Sequence, residues 1–333
     1  MGKIKSIAPI IFVLLWSTGF IGAKYILPYA EPFVFLTIRY LFATLILVAI
    51  AKAIGESLRI SWPQIKQSIL VSVFLHVIYI GGVFYAIFID IPAGITAVIV
   101  SLQPILVSAI AIPLLKEKLS YKQIFGLLLG FVGVTFLLIP KLFEGDLSSG
   151  FSTFGIICCV LALLGTTAGY LLQKKGGADI PFLAGTAVQF ATSTVIFAIA
   201  SVIFEPLKVN ITLEFVLALS WIVLALSIGS IFLLFYLLRN DSASSVSSLY
   251  YLVPPLAAVQ AYYLFDERIK GIGLIGMALA ALGTLIVTKN SKTAVHYFEV
   301  IRNALNIPDW LGIRLRSTKS SGCGTHSCAR LLF

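Results

Sequence analysis

Charge is the scarcest commodity in this chain of 333 residues. Only 11% of its residues are Asp, Glu, Lys or Arg, against roughly 25% in an ordinary soluble domain. Apolar residues make up 59%, and the mean hydropathy is +1.03. So little polar surface cannot cover a water-soluble globule, which excludes a soluble enzyme. Cysteine is sparse too, and the four present suggest no disulfide framework. Cys158 and Cys159 lie in an apolar run, where they serve as small packing residues. Cys323 and Cys328 flank His326 at a spacing too irregular to read as a metal site. No Walker A pattern and no phosphate-binding glycine loop occur, so direct ATP drive has no sequence support. Mid-span carboxylates are almost absent and His76 is the one histidine among the apolar runs. An intramembrane enzyme would want a Ser/His pair, a metal cluster or paired acids. No catalytic residue, metal or cofactor is expected.

What the chain does have is long apolar runs, at roughly 7–27, 33–53, 66–89, 93–114, 122–140, 153–173, 182–204, 214–238, 244–265 and 270–288. Each is close to the 20 or so residues that cross a bilayer as a helix. A transmembrane barrel would alternate apolar and polar residues in short strands instead. The expectation is an all-α polytopic membrane protein of about ten transmembrane helices. The first run resembles a signal peptide but is too long and carries Trp16, Ser17 and Thr18 in its middle, so it reads as a retained span. Residues 289–333 form a basic tail with little pattern, expected to be cytoplasmic and poorly ordered.

The net charge of +10 raises a nucleic-acid reading. The Lys and Arg residues lie in connections and tail rather than on one face, so the partner is the lipid bilayer and no nucleic acid is expected. With both termini inside, about 18 of the 24 basic residues fall on the cytoplasmic side and about 6 outside. The expected location is the cell inner (plasma) membrane, with both termini cytoplasmic.

The most informative feature is an internal repeat at an offset of 150 residues. Pro104 falls on Pro254, Glu117 on Glu267, Lys118 on Arg268, Gly126 on Gly276 and Gly133 on Gly283. Single matches are cheap in apolar sequence. A Pro-to-acid interval of 13 residues, followed nine residues later by Gly in both halves, is not. The units are 7–140 and 151–288, each with five spans. An odd number makes the second unit inverted with respect to the first, a plan that recurs in secondary transporters.

The run Leu15-Trp16-Ser17-Thr18-Gly19-Phe20, Arg39 in the second span and the two Pro–x12–Glu elements resemble the EamA half-domains of the drug/metabolite transporter superfamily. The resemblance covers about residues 8–288. It weakens in the second half, where Thr166 replaces the Trp and Gln189 the Arg. It implies a 5+5 inverted arrangement of ten helices and, commonly, export of amino acids or related metabolites.

Polar side chains inside spans are site candidates because hydrocarbon makes them costly. Trp16 either lines a cavity with its N–H or packs in the interior. His76 and Tyr79, at i and i+3, share a helix face, with Tyr85 two turns further on. The pKa of a histidine suits proton coupling; the alternative is a neutral hydrogen-bonded core residue. Gln103, Tyr170, Trp221 and Tyr250 complete the candidate substrate-binding set, with Gln173, Gln189 and Tyr236 behind them. Arg39 either binds an anionic group or pins helices together. Pro104 and Pro254 mark kinked, moving spans, and Gly126 and Gly276 mark close helix packing. Glu117 and Glu267 lie at opposite faces, about 30 Å apart, and so each caps a junction rather than sharing a proton. Taken together these residues point to a secondary transporter of small organic metabolites working by alternating access. A non-transporting sensor or channel on the same scaffold is the second reading, and an intramembrane enzyme the third.

Overall fold

A computed structural model describes residues 2–89, 91, 96, 99–144, 152–265 and 271–288. Described in chain order are α1 (Gly2–Ile26), α2 (Pro32–Ala53), α3 (Trp62–Phe88), α4 (Gln103–Leu115), α5 (Tyr121–Glu144), α6 (Thr153–Gly176), α7 (Phe182–Phe204), α8 (Leu213–Asn240), α9 (Val253–Phe265) and α10 (Gly271–Thr288). A short helix, Ala243–Ser248, and a 3₁₀ turn, Leu249–Leu252, lead directly into α9. Among the described residues there is no strand, only an isolated bridge between Ala30 and Val209. Six of the helices, α2, α3, α6, α7, α8 and α10, are long and apolar enough to cross a membrane. Shorter apolar stretches lie at Ile7–Gly19, Gln103–Leu115 and Tyr121–Leu137. The sequence-based expectation of about ten full spans is therefore met at six places among the described residues.

Local chemistry sets the helix ends. The third apolar run starts at 66, yet α3 begins at Trp62. Pro63 sits in its first turn, where a missing N–H costs nothing, and Ser61 and Gln64 close a capping box, with Ser61 N–H donating to Gln64 Oε1 at 2.9 Å. The equivalent helix α8 is capped by Thr212, whose Oγ1 accepts from Phe215 N at 3.2 Å. Pro104 does more than kink its span. Ser101 and Leu102 form a turn and a helix restarts at Gln103 with the proline in its first turn. In the second half the 3₁₀ turn occupies the corresponding place ahead of Pro254. Both third helices also carry a π-helical segment, Val73–Gly81 in α3 and Ile222–Ser230 in α8, an irregularity found disproportionately at functional sites.

The halves interlock reciprocally. The first helix of each half packs on the third and fourth helices of the other: α1 on α8 and α9, α6 on α3 and α4. The second helices, α2 and α7, face each other, as do the fifth, α5 and α10. In the last pair the glycines have a concrete function. A Cβ on Gly126 would stand 2.8 Å from the carbonyl oxygen of Gly283, and one on Gly276 would stand 2.5 Å from Leu137 N. Only bare backbone allows that approach.

Burial is inverted relative to a soluble protein. Leu, Ile, Val and Phe cover the outside, as at Leu45, Leu128, Val195, Ile199 and Leu282, while Ser17, Arg39, Ser72, His76, Gln103, Gln173 and Gln189 are buried. Hydrocarbon solvates the first set, and the second must find partners within the protein. The pattern is that of a multi-pass membrane protein.

Candidate functional site

Interior polar groups collect in two places, and the first is a cleft between the halves. Trp16 and Gly19 of α1, Arg39 of α2, Tyr79, Val83 and Ile87 of α3, and Leu226 of α8 line it. Its volume is about 80 Å³, room for roughly five to eight waters if one needs about 10–15 Å³. Trp16 meets Tyr250 edge-on with ring centroids 5.4 Å apart, and Tyr170 meets Tyr250 at 6.3 Å. Tyr79 shares the cleft wall with Trp16. The hydroxyls of Tyr170 and Tyr250 are buried without a partner among the described residues. Buried hydroxyls normally find one.

Arg39 is 6% exposed. Its Nε donates to Ser227 Oγ at 2.8 Å, and its guanidinium carbon lies 5.2 Å from the Tyr40 ring centroid. Among the described residues no carboxylate stands near enough to act on it; the side chains that do are Tyr40 and Tyr79. A buried cation ordinarily has a counter-charge. This one faces the cleft with neutral neighbours.

The second place is a closed network around His76, which is fully buried and not part of the cleft wall. Gln189 Nε2 donates to Gln173 Oε1 at 3.1 Å, which turns Gln189 Oε1 toward His76 Nε2 at 3.3 Å. An amide oxygen can only accept, so Nε2 carries the proton. Nδ1 is then the acceptor for Tyr40 OH at 3.3 Å. Both ring nitrogens are used by a neutral imidazole, and Phe190 packs edge-on against it at 5.3 Å.

The remaining candidates lie apart from both groups. Tyr85 stacks on Phe33 at 5.3 Å with nearly parallel rings and touches Phe88 and Phe154. Gln103 is 2% exposed with neither side-chain atom partnered among the described residues. Trp221 lines a different crevice and donates its Nε1–H to Thr18 Oγ1 at 2.9 Å. Glu117 caps a helix, accepting from Ala243 N at 2.6 Å and Ser244 Oγ at 2.7 Å. Its repeat partner Glu267 lies outside the described residues, as do the tail, Cys323, His326 and Cys328.

A sequence profile described as the EamA-like transporter family matches residues 4–139 and again residues 153–289. The chain belongs to the EamA-like transporter family. Two matches in tandem fit the internal repeat. An uncharacterized transporter, YvbV, of Bacillus subtilis is 26% identical over 285 residues, covering 84% of this chain and 90% of that one. Protein PecM of Dickeya dadantii is 25% identical over 277 residues, covering 82% and 88%. An uncharacterized inner membrane transporter of Escherichia coli, YedA, is 24% identical over 281 residues, covering 83% and 87%. A solved crystal structure superposes with a TM-score of 0.72 at 20% identity over 86% of this chain and 96% of its own, which bears on the fold. The family and these names indicate a transporter rather than an enzyme.

Three interior polar residues of this EamA-like protein escape a reading of the sequence. Ser227, the partner of Arg39, is one serine among many in apolar surroundings and carries no signal. Tyr40 hides behind the more conspicuous Arg39. Gln260, whose Nε2 donates to Ser17 Oγ at 2.9 Å, is a mid-span amide that the rule for intramembrane polar groups would have found.

Proposed function

We propose that this EamA-like protein is a secondary transporter that carries small organic metabolites bearing a carboxylate, amino acids foremost, by alternating access at the Trp16–Arg39 cleft. The observation that carries this reading is Arg39: a buried guanidinium with no acidic partner among the described residues, on the wall of a cleft between the halves. A carboxylate is the natural partner for such a group. Trp16, Tyr79, Tyr170 and Tyr250 would supply aromatic faces and hydroxyls for the rest of the solute. At about 80 Å³ the cleft is narrow, as an occluded form between two open ones would be. The reciprocal packing of the halves supports an inverted repeat about an axis in the membrane plane, whose two copies exchange shapes around one site. The breaks at Pro104 and Pro254 are the hinges in this scheme. In this scheme both termini lie in the cytoplasm of an inner membrane, a reading that the distribution of the basic residues supports.

The test is flux in proteoliposomes, screening labelled amino acids and other carboxylates against neutral analogues, with and without a pH gradient. The expected result is saturable, counterflow-competent transport of one carboxylate class, reduced at least tenfold in Trp16→Ala and restored in part by Trp16→Phe. Folded protein that moves no solute would favour a sensor, and non-saturable flux a channel. Proton coupling belongs to this scheme only if flux follows an imposed pH gradient.

A further inference from the structure

A larger crevice opens between α1, α8 and α9, on the other side of α1 from the Trp16–Arg39 cleft. Its volume is about 490 Å³, several times that of the cleft. Leu217, Leu264 and Trp221 form its walls and are 62%, 57% and 49% exposed, so its mouth faces the surroundings of the bundle rather than the interior. Tyr25 adds a second aromatic ring.

The polar groups of this crevice are of one kind. Ser17 Oγ donates its only proton to Leu14 O at 2.8 Å, so toward Gln260 it can only accept. That fixes the amide: Gln260 Nε2 faces Ser17 at 2.9 Å, and Oε1 turns away without a donor among the described residues. The Trp221 N–H and the Thr18 hydroxyl are both committed, the first to Thr18 Oγ1 at 2.9 Å and the second to Leu15 O at 2.7 Å. Among the described residues the one charged lining side chain is Glu214, exposed in the first turn of α8. No Lys or Arg is among its described lining residues. The described lining therefore offers acceptors and apolar walls: a carboxylate at the rim and, deeper in, the buried oxygen of an amide that lines the crevice.

The spacing of those acceptors sets the length of a ligand. Gln260 and Trp221 are held to the adjacent residues Ser17 and Thr18, so they lie at one depth. Glu214 precedes Trp221 by one helical run of seven residues, about 10 Å at about 1.5 Å per residue. We propose that this crevice is a second binding site, separate from the Trp16–Arg39 cleft, for amphiphilic ammonium solutes that carry a neutral hydrogen-bond donor about 10 Å from the cation. The ammonium stays at the wet rim with Glu214, where it keeps its hydration. The neutral donor completes Gln260 Oε1, and the apolar spacer lies between Leu217, Leu264 and the Trp221 ring.

The experiment is equilibrium binding of radiolabelled 8-aminooctan-1-ol to the full chain in phosphatidylcholine nanodiscs, with empty discs as the background. Saturable binding at one site per chain is expected. Gln260→Leu and Glu214→Gln should each weaken it at least tenfold, the latter at an exposed position where folding is undisturbed. Octylammonium, which lacks the second donor, should bind at least tenfold more weakly and be indifferent to Gln260→Leu. Trp16→Ala should leave binding intact, so failure of the central cleft as a transport site is read separately. Binding no greater than in empty discs, or equal in both crevice variants, overturns the proposal. Loss of binding in Trp16→Ala would move the ligand to the central cleft. Loss on adding phosphatidylethanolamine to the discs would give the crevice to a lipid headgroup.

Discussion

The two halves place different chemistry on equivalent positions of one scaffold. Arg39 in α2 and Gln189 in α7 correspond under the repeat and sit on the helices that face each other across the centre. Arg39 reaches the cleft, anchored by one neutral hydrogen bond. Gln189 spends its oxygen on His76 and its amide on Gln173. Trp16 likewise lines the cleft, whereas its counterpart Thr166 is buried away from it. After duplication the halves share their packing but not their polar functions. Arg39 has no acidic partner among the described residues and faces open space, whereas Gln189 is fully paired in a network that joins the halves. Symmetry is needed to build the bundle, and asymmetry gives the cleft its chemistry.

The largest expected effect comes from breaking what the halves share. Gly283→Val would put a Cβ 2.5 Å from the carbonyl oxygen of Gly126, where backbone cannot yield. We expect a loss of about 3 kcal/mol, seen as a sharply lowered melting temperature or as aggregation on size-exclusion chromatography in detergent. An unchanged melting temperature would mean that α5 and α10 are not as tightly joined as their glycines require.

Next is the exchange that makes the first half resemble the second. Arg39→Gln should fold and lose at least tenfold in carboxylate flux, equivalent to about 1.4 kcal/mol. Ser227→Ala should lower flux less, because Arg39 keeps its charge and loses one fixed orientation. Equal flux in all three proteins would leave the difference between the halves without functional meaning.

A third variant probes the closed network that joins the halves around His76. His76→Gln retains a donor and an acceptor in place of the imidazole but not its shape. We expect a stability loss of about 1–3 kcal/mol from imperfectly paired Tyr40 and Gln189, with the pH profile of flux unchanged. A flattened profile would instead assign His76 a proton-carrying role.

The smallest effect concerns Glu205, which ties the halves together by accepting from Phe33 N and Val34 N, each at 2.8 Å. Burial raises its carboxyl above the ordinary range, opposed by those two N–H groups. The folded state thus holds this proton more tightly than the unfolded chain. Its contribution to stability is fully present below the ordinary carboxylate pKa and is lost as pH rises through the raised folded value. Glu205→Gln should lack this slope. Thermal unfolding between pH 4 and pH 7 reads the difference, and parallel curves for the two proteins would refute it.

Much of this was legible in the sequence. Composition and run length gave the membrane class, because hydrocarbon imposes a composition on whatever crosses it. The 150-residue offset gave the internal repeat, and the glycine positions gave the close packing. Helix breaks were less legible. Pro104 was visible, but its span reads as one apolar run, and only the structure ends it in a turn before Gln103. Of the polar candidates, Trp16, Tyr79, Tyr170 and Tyr250 gather in one cluster with Arg39 beside it, while His76, Tyr85 and Trp221 go elsewhere.

The sequence by itself determined that this chain folds in lipid as two like halves, because hydropathy and periodicity are local and survive without knowledge of neighbours. Tertiary structure alone decided which buried polar groups are satisfied. His76 and Arg39 both read as intramembrane oddities, yet one is hydrogen-bonded at both ring nitrogens by Tyr40 and Gln189 and the other meets a serine, a tyrosine ring and the cleft. Those partners come from α2, α7 and α8, up to 188 residues away. In a medium without water, what a polar group can do depends on whether the protein itself supplies its partner.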